Sequence, residues 1–586
     1  MKKYILVFIL PFILFYTSCK SQRNQNNEVT KEYKITSSYI LIPVEEKSKE
    51  IKIAVQFPDK KTAEYYWIRI AEDKPDYWVK LDVGEYKNKT IKIGFENASQ
   101  VSSGIEEIYQ SDKFNIQYEE TYRPDFHFSP EYGWMNDPNG LVYLDGEYHL
   151  FYQYNPYGNM WGNMHWGHAV STDLTSWTYL PIVLKPDTLG DIFSGSAVVD
   201  VNNTAGFGKN AIIAIYTSNG KTQQQSIAYS TDKGRTFTKY NGNPVIPNPG
   251  IVDFRDPKVS WNAVANQWVM TLATKQTVTF YGSDNLKTWT KLSEFGDGIG
   301  SHAGVWECPD LFPLEYNGQT KWVLTVSLHG GPNGGTATQY FIGNFDGKSF
   351  KPDILPYPLW MDYGRDNYAG ITWNNIPDKD GRRIFIGWMN NWDYGNNLPS
   401  KFFRSSNTIP CQLFLKNNGK HIILASYPVS EITLLRDKTF DKPDIHVSGE
   451  SSINELIPNN NGSYELTFDI ENINTNEFGF QLINNKNEFL KYNFDLLSGT
   501  LYLNRAQSGL TNFNDLFSLG MGAPLVLGEK YNVRLLIDKA SAELFVNEGD
   551  VTMTSLFFPT EVMNKLIFYT KNGSINIHNI KVYDIK

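Results

Sequence analysis

The amino-acid sequence predicts an all-β protein: a five-bladed β-propeller followed by a β-sandwich, with a smaller β domain in front. Three observations carry this expectation. Aromatic residues make up 15% of the chain, as 35 Tyr, 35 Phe and 15 Trp, and they sit in short runs bounded by Gly, Pro and Asn instead of long helical periods. Apolar and polar residues alternate with a period of two towards both ends of the chain. Between those ends a short phrase recurs at about fifty to sixty residues.

The N-terminus is organised as a leader. Lys2 and Lys3 precede an apolar run from Tyr4 to Tyr16, which ends in small residues before Cys19. The run is shorter than the ~20 residues that a membrane-spanning helix requires. It resembles a bacterial lipoprotein signal, which implies a signal peptide over 1–19, a lipid on Cys19 and a polar tether over 20–32. The membrane would then be reached through the lipid anchor only. Cys308 and Cys411 are the other cysteines, so no disulfide framework is expected, and they read as two separate buried thiols.

Residues 33–118 hold strand-like alternations such as Glu50 to Val55, Tyr66 to Ile70 and Thr90 to Phe95, which suit a small β-sandwich. Its aromatics Tyr65, Tyr66, Trp67 and Trp78 are expected in the core, with stacking on sugar rings as the alternative. Over 121–425 the recurrent phrase is an Asp, after Ser or Thr in three of four cases, followed by an aromatic: Asp173 with Trp177, Asp232 with Phe237, Asp284 with Trp289, and Asp346, after Phe345, with Phe350. In an all-β region that period suggests radial blades, tandem sandwiches being the alternative. Residues 440–586 alternate again, as in Glu465 to Ile470, and predict a second sandwich.

The net charge of −9 and the absence of a basic block exclude a nucleic-acid footprint, which needs clustered Lys and Arg. A weakly charged ligand fits better. His165, His168, His302 and His329 have no metal-site spacing, so no metal and no cofactor is expected.

Three carboxylates stand in similar settings: Asp137 in Trp134-Met135-Asn136-Asp137-Pro138-Asn139-Gly140, Asp256 in Phe254-Arg255-Asp256-Pro257, and Glu307 in Trp306-Glu307-Cys308-Pro309. Each is flanked by an aromatic and followed closely by Pro. Taken alone, Asp-Pro and Asn-Gly are turn dipeptides. In a propeller, however, these acids fall in the first, third and fourth blades, whose inner strands face one channel.

The three phrases in this order resemble glycoside hydrolase family 32, the invertases, inulinases and levanases. The resemblance continues through Phe151 to Pro156, Met160-Trp161-Gly162, Phe193-Ser194, Asp362-Tyr363-Gly364 with Tyr368-Ala369, Gly387 to Trp392, and Asp538 to Asn547. It implies retaining hydrolysis of β-fructosyl bonds, with Asp137 as nucleophile, Glu307 as general acid/base and Asp256 as an ionised stabiliser of the transition state. It further implies that Asn136, Gln153, Trp161, Phe193, Ser194, Arg255 and Trp388 line the sugar pocket. The expected partner is a fructan or fructo-oligosaccharide, cut from its end; endo-cleavage of levan is the alternative, and a non-catalytic fructan-binding lipoprotein is the rival from another class. One departure occurs at Cys411-Gln412, where many relatives carry Arg-Glu, and it is expected to alter packing against the C-terminal sandwich. Lys20 to Gln25 carries no acidic cluster, which favours the periplasmic face of the outer membrane over the cell surface. The sequence carries no signal of oligomeric state.

Overall fold

The computed structural model describes residues 28–98 and 101–585. The expected signal peptide, the lipidated Cys19 and the first part of the tether lie outside those residues. The last residues of the predicted tether are strand: Val29–Lys34 pairs with Thr90–Phe95. Its burial pattern is mostly exposed, so backbone pairing rather than an apolar signal recruits it, and the polar segment ends by residue 28.

The N-terminal region is a pair of sheets. One has the order Val29–Lys34, Thr90–Phe95, Ile51–Gln56, Glu64–Ile68, and the other Tyr77–Asp82, Tyr39–Val44, Tyr109–Ser111. Alternation does the work, since Ile51, Ile53 and Val55 are buried while Lys52, Ala54 and Gln56 are half-exposed. The four aromatics of this region divide. Tyr66 is buried, Trp78 is half-buried, and Tyr65 and Trp67 are 54% and 49% exposed.

Five sheets follow, each built on four strands, with one further short strand in the first, fourth and fifth. Their innermost strands are Gly133–Leu144, Asp191–Asp200, Phe254–Asn262, Trp306–Tyr316 and Tyr368–Thr372. The ring closes through Phe403–Arg404, which leaves the fifth blade and pairs in parallel with Gly133 and Trp134 of the first. The recurrent phrase is the turn before the outermost strand of blades one to four. Asp173 accepts from the amides of Thr175 and Ser176 at 2.8 and 2.7 Å, Asp232 from Thr236 at 3.0 Å, and Asp346 from Lys348 and Ser349 at 2.9 and 2.7 Å. In the third blade Asn285, one residue beyond Asp284, does this, accepting from Lys287 and Thr288. Short side-chain carbonyls that satisfy amides two to four residues on define these turns. The aromatic after each turn packs into a cluster between blades.

The C-terminal region is two sheets facing each other. One is built around Tyr464–Asn474, Tyr531–Asp538 and Ser574–Ile585, the other around Glu477–Ile483, Phe489–Asp495 and Lys565–Thr570, with Phe468, Phe480, Phe494 and Phe568 in the core between them. It binds the propeller through buried charge. His127 Nδ1 lies 2.8 Å from Asp538 Oδ2 and its Nε2 lies 2.7 Å from Glu543 Oε1. Arg505 meets Asp366 and donates to the Tyr394 hydroxyl at 2.7 Å, and Asp362 accepts from the Thr554 amide at 2.9 Å. Cys411 lies buried within reach of the Glu543 charge, on the side of the fifth blade that meets the sandwich.

Candidate active site

Each innermost strand breaks its pairing register near the same end: between Met135 and Pro138, Ile192 and Gly195, Arg255 and Lys258, Glu307 and Asp310, and Tyr368 and Ile371. A β-bulge re-aims side chains at the cost of ladder bonds. The sequence accommodates it. Pro138, Pro257 and Pro309 have no N–H to lose, while Asp256 and Cys308 adopt φ of 64° and 45°. The positive φ values are a strain that persists only where the surroundings over-determine it. The five bulges aim their residues into one cavity of about 370 Å³, lined by Asn136, Asp137, Gln153, Trp161, Phe193, Ser194, Gln223, Arg255, Asp256, Glu307, Tyr368 and Trp392.

Asp137 is held at both oxygens. Trp134 Nε1, which can only donate, bonds Asn136 Oδ1 at 2.8 Å, and this orients the amide so that Nδ2 donates to Asp137 Oδ1 at 3.0 Å. Ser194 Oγ donates to Asp137 Oδ2 at 2.6 Å, and Cys308 Sγ approaches the same oxygen at 3.5 Å. Burial outweighs these donors and pushes the Asp137 carboxyl above its usual range, and the charge of Glu307 adds to the rise.

Glu307 is held differently. Arg255 Nη2 and Nε donate to its Oε1 at 3.0 and 3.3 Å, and the Tyr368 hydroxyl donates to its Oε2. Arg255 is braced by Asp253 at 2.5 Å and Gln223 at 3.3 Å. The guanidinium therefore sits on Glu307, with Asp256 receiving only its field. Asp256 accepts from the Cys308 amide at 3.0 Å. Burial, opposed by Arg255 and reinforced by the charges of Glu307 and Asp137, pushes Asp256 up to about 7. The resemblance implied a fixed charge on Asp256; burial instead raises the proton affinity of this carboxyl.

Of the expected lining residues, Asn136, Gln153, Trp161, Phe193, Ser194 and Arg255 are in the cavity wall. Gln153 spends its Nε2 on the Ile192 carbonyl at 2.9 Å, leaving its oxygen as an acceptor. Trp388 is not in the wall. It is fully buried behind Trp392, with ring centroids 4.7 Å apart, because the fifth-blade strand ends at Met389 and the chain turns the next indole outward. Tyr368 and Trp392 lie in phrases that the family resemblance covers, so a signal existed. Gln223, one of three consecutive glutamines, had none. The histidines scatter: His168 bonds His149 at 3.1 Å, His302 stacks on Trp306, and His329 meets Asp393 at 2.9 Å.

Similarity to known proteins follows the same boundaries. The Glycosyl hydrolases family 32 N-terminal domain matches residues 127–427 and the Glycosyl hydrolases family 32 C terminal matches residues 431–584. Residues 26–126 match a Domain of unknown function (DUF4980). A levanase of Bacillus subtilis (strain 168) is 47% identical over 482 residues, 80% of this chain and 71% of that protein. The extracellular exo-inulinase inuE of Aspergillus niger is 39% identical over 521 residues, 79% of this chain and 96% of that protein. Among solved structures, exo-inulinase from Aspergillus awamori superposes with a TM-score of 0.74 at 34% identity, covering 81% of this chain and 99% of that one. The chain belongs to glycosyl hydrolase family 32 and is a glycosidase.

Proposed function

We propose that this enzyme hydrolyses β-fructofuranosyl bonds of fructans and related oligosaccharides from the chain end, with net retention. The observation that carries the proposal is the convergence of Asp137, Asp256 and Glu307 from three blades into one cavity, each with its own set of donors. Asp137, buried and fixed at both oxygens, attacks the anomeric carbon. Glu307 protonates the departing oxygen, and a fructosyl ester forms on Asp137. Glu307 then takes a proton from water, which attacks the same carbon and frees Asp137. Asp256, with Gln153 Oε1, accepts from furanose hydroxyls, while Trp161, Phe193 and Trp392 pack against the apolar ring face.

The cavity is near the lower end of the ~300–1,000 Å³ common for ligand pockets, which favours a terminal sugar over a bound chain interior. The related levanase and exo-inulinase support fructan as the substrate. The leader supports export with a lipid on Cys19, which labelling with a fatty acid in wild type and Cys19→Ser would check.

The decisive test is Asp137→Asn and Glu307→Gln, assayed for fructose released from levan, inulin and sucrose. Losses on the order of 10⁴ or more are expected for the nucleophile and 10²–10⁴ for the acid/base. Near-normal release by either variant refutes the roles. Free fructose as the first product supports chain-end attack, whereas an early ladder of oligosaccharides refutes it.

A further inference from the structure

Strand Glu64–Ile68 is the edge of the first N-terminal sheet, and its outer face carries Tyr65 and Trp67, 54% and 49% exposed. Single exposed aromatics are ordinary, but here two stand side by side on one face. The register puts Ala54 opposite Tyr65 and Lys52 opposite Trp67, with Gly94 next beyond Ala54. Small residues thus form a shallow floor beside the rings. Lys52 Nζ lies 4.2 Å from the Tyr65 ring centroid and 3.5 Å from Glu96 Oε1, which places a cationic donor over the Tyr65 ring.

The free edge of this strand is capped by the catalytic unit. Asn163 Oδ1 accepts from the Trp67 amide at 2.8 Å, and its Nδ2 donates to the Trp67 carbonyl at 2.8 Å. One side chain takes both bonds that a neighbouring strand would have made. Asn163 belongs to the same loop as Trp161, the indole at the cavity rim, which is 44% exposed and contacts Phe193 edge-on at 6.0 Å. Two residues of chain span at most ~7 Å, so the Cα atoms of Trp67 and Trp161 lie within roughly 15 Å once the amide bridge is added. The contact is rigid: Tyr66 packs on Tyr157 at 4.4 Å, and the Asn159 amide donates to Tyr77 at 3.1 Å.

We propose that Tyr65, Trp67 and Lys52 form a second carbohydrate-binding platform, continuous with the rim at Trp161, which takes the distal part of a fructan chain whose terminal unit occupies the cavity. Flat aromatic faces pack on the apolar faces of sugar rings, and the ammonium donates to their hydroxyls. A chain held at both places pays the cost of its second contact at high effective concentration. A disaccharide is too short to reach. This inference rests on the fructan-hydrolase reading of the cavity.

The test is a Tyr65→Ala/Trp67→Ala double variant of the full chain, with Trp67→Phe as the ring-preserving control. The ratio of kcat/KM on levan or inulin to kcat/KM on sucrose is expected to fall about tenfold in the double variant, through KM on the polymer, and to recover most of the way in Trp67→Phe. An unchanged ratio overturns the platform. Affinity electrophoresis through levan- or inulin-containing gels, with the Asp137→Asn chain, reads binding without turnover. Retardation that is lost with the two rings supports the proposal, while retardation indifferent to them, or none at all, overturns it. If the wild type releases no fructose from any of the three sugars, the hydrolase reading fails instead, and the gel still decides the platform.

Discussion

Replacing His127 with Gln tests how the propeller is joined to the sandwich. His127 is buried between Asp538 and Glu543. The Asp538 carboxylate also accepts from the amides of Asp125 and Phe126, and Lys539 pairs with Asp125 nearby. Burial alone would lower the imidazolium pKa; hydrogen bonds and charges from the two carboxylates reverse this and raise His127 from 6.5 to about 9. At about 1.4 kcal/mol per tenfold change in proton affinity, the rise is worth about 3 kcal/mol of folding stability. The folded value lies above the unfolded one, so this stability is fully present below pH 6.5 and is lost as pH rises through about 9. Asp538, held down to about 2, is the same pairing seen from the other partner and adds nothing further on this side of neutrality. For a unit of 150–250 residues, about 3 kcal/mol corresponds to roughly 6–12 °C in Tm. Melting of the wild type and His127→Gln should therefore be followed by calorimetry from pH 6 to 9.5. The wild type is expected to melt higher at pH 6.5 and to lose that advantage by pH 9.5. Parallel curves, or equal Tm at pH 6.5, would refute the charged clamp.

Three further outcomes follow from the site. Tyr368→Phe removes the hydroxyl that donates to Glu307, and a hydrogen bond to a charged group is worth about 1.5–3 kcal/mol; kcat on sucrose should fall about ten- to a hundredfold, and an unchanged kcat would show the contact to be idle. Arg255→Gln removes the cation that restrains Asp256, so the Asp256 carboxyl rises above its value of about 7, and the acid limb of the kcat/KM profile should move to higher pH as more of the free enzyme carries the extra proton. A limb that stays put or moves down contradicts the assignment. Cys308 and Cys411 are separate and buried, with thiols pushed well up by burial, so a Cys19→Ser chain should titrate no rapidly reacting thiol when folded and two when denatured, as read with a thiol-specific chromogenic reagent.

Much of this protein is legible in the amino-acid sequence because the signals are local. A period of two is a property of the strand backbone, and it marks both sandwiches. Asx turns are closed by one side chain and the amides just after it, so the aspartates of the recurrent phrase mark the blades, with the third blade shifted to Asn285. The three acids are legible for a related reason: each needs a bulge, and a bulge at that point favours the prolines that follow them. The sequence alone determined the fold class and the family, and it singled out the three acids that line one cavity. Tertiary structure decided what depends on distance between remote residues. It put Arg255 on Glu307, raised Asp256 by burying it beside two other acids, exchanged Trp388 for Trp392 at the wall, and seated Trp67 against Asn163, 96 residues away. Periodicity reports which face of a strand is buried. Which partner covers that face, and which charges share a site, is set by long-range packing that no local pattern encodes.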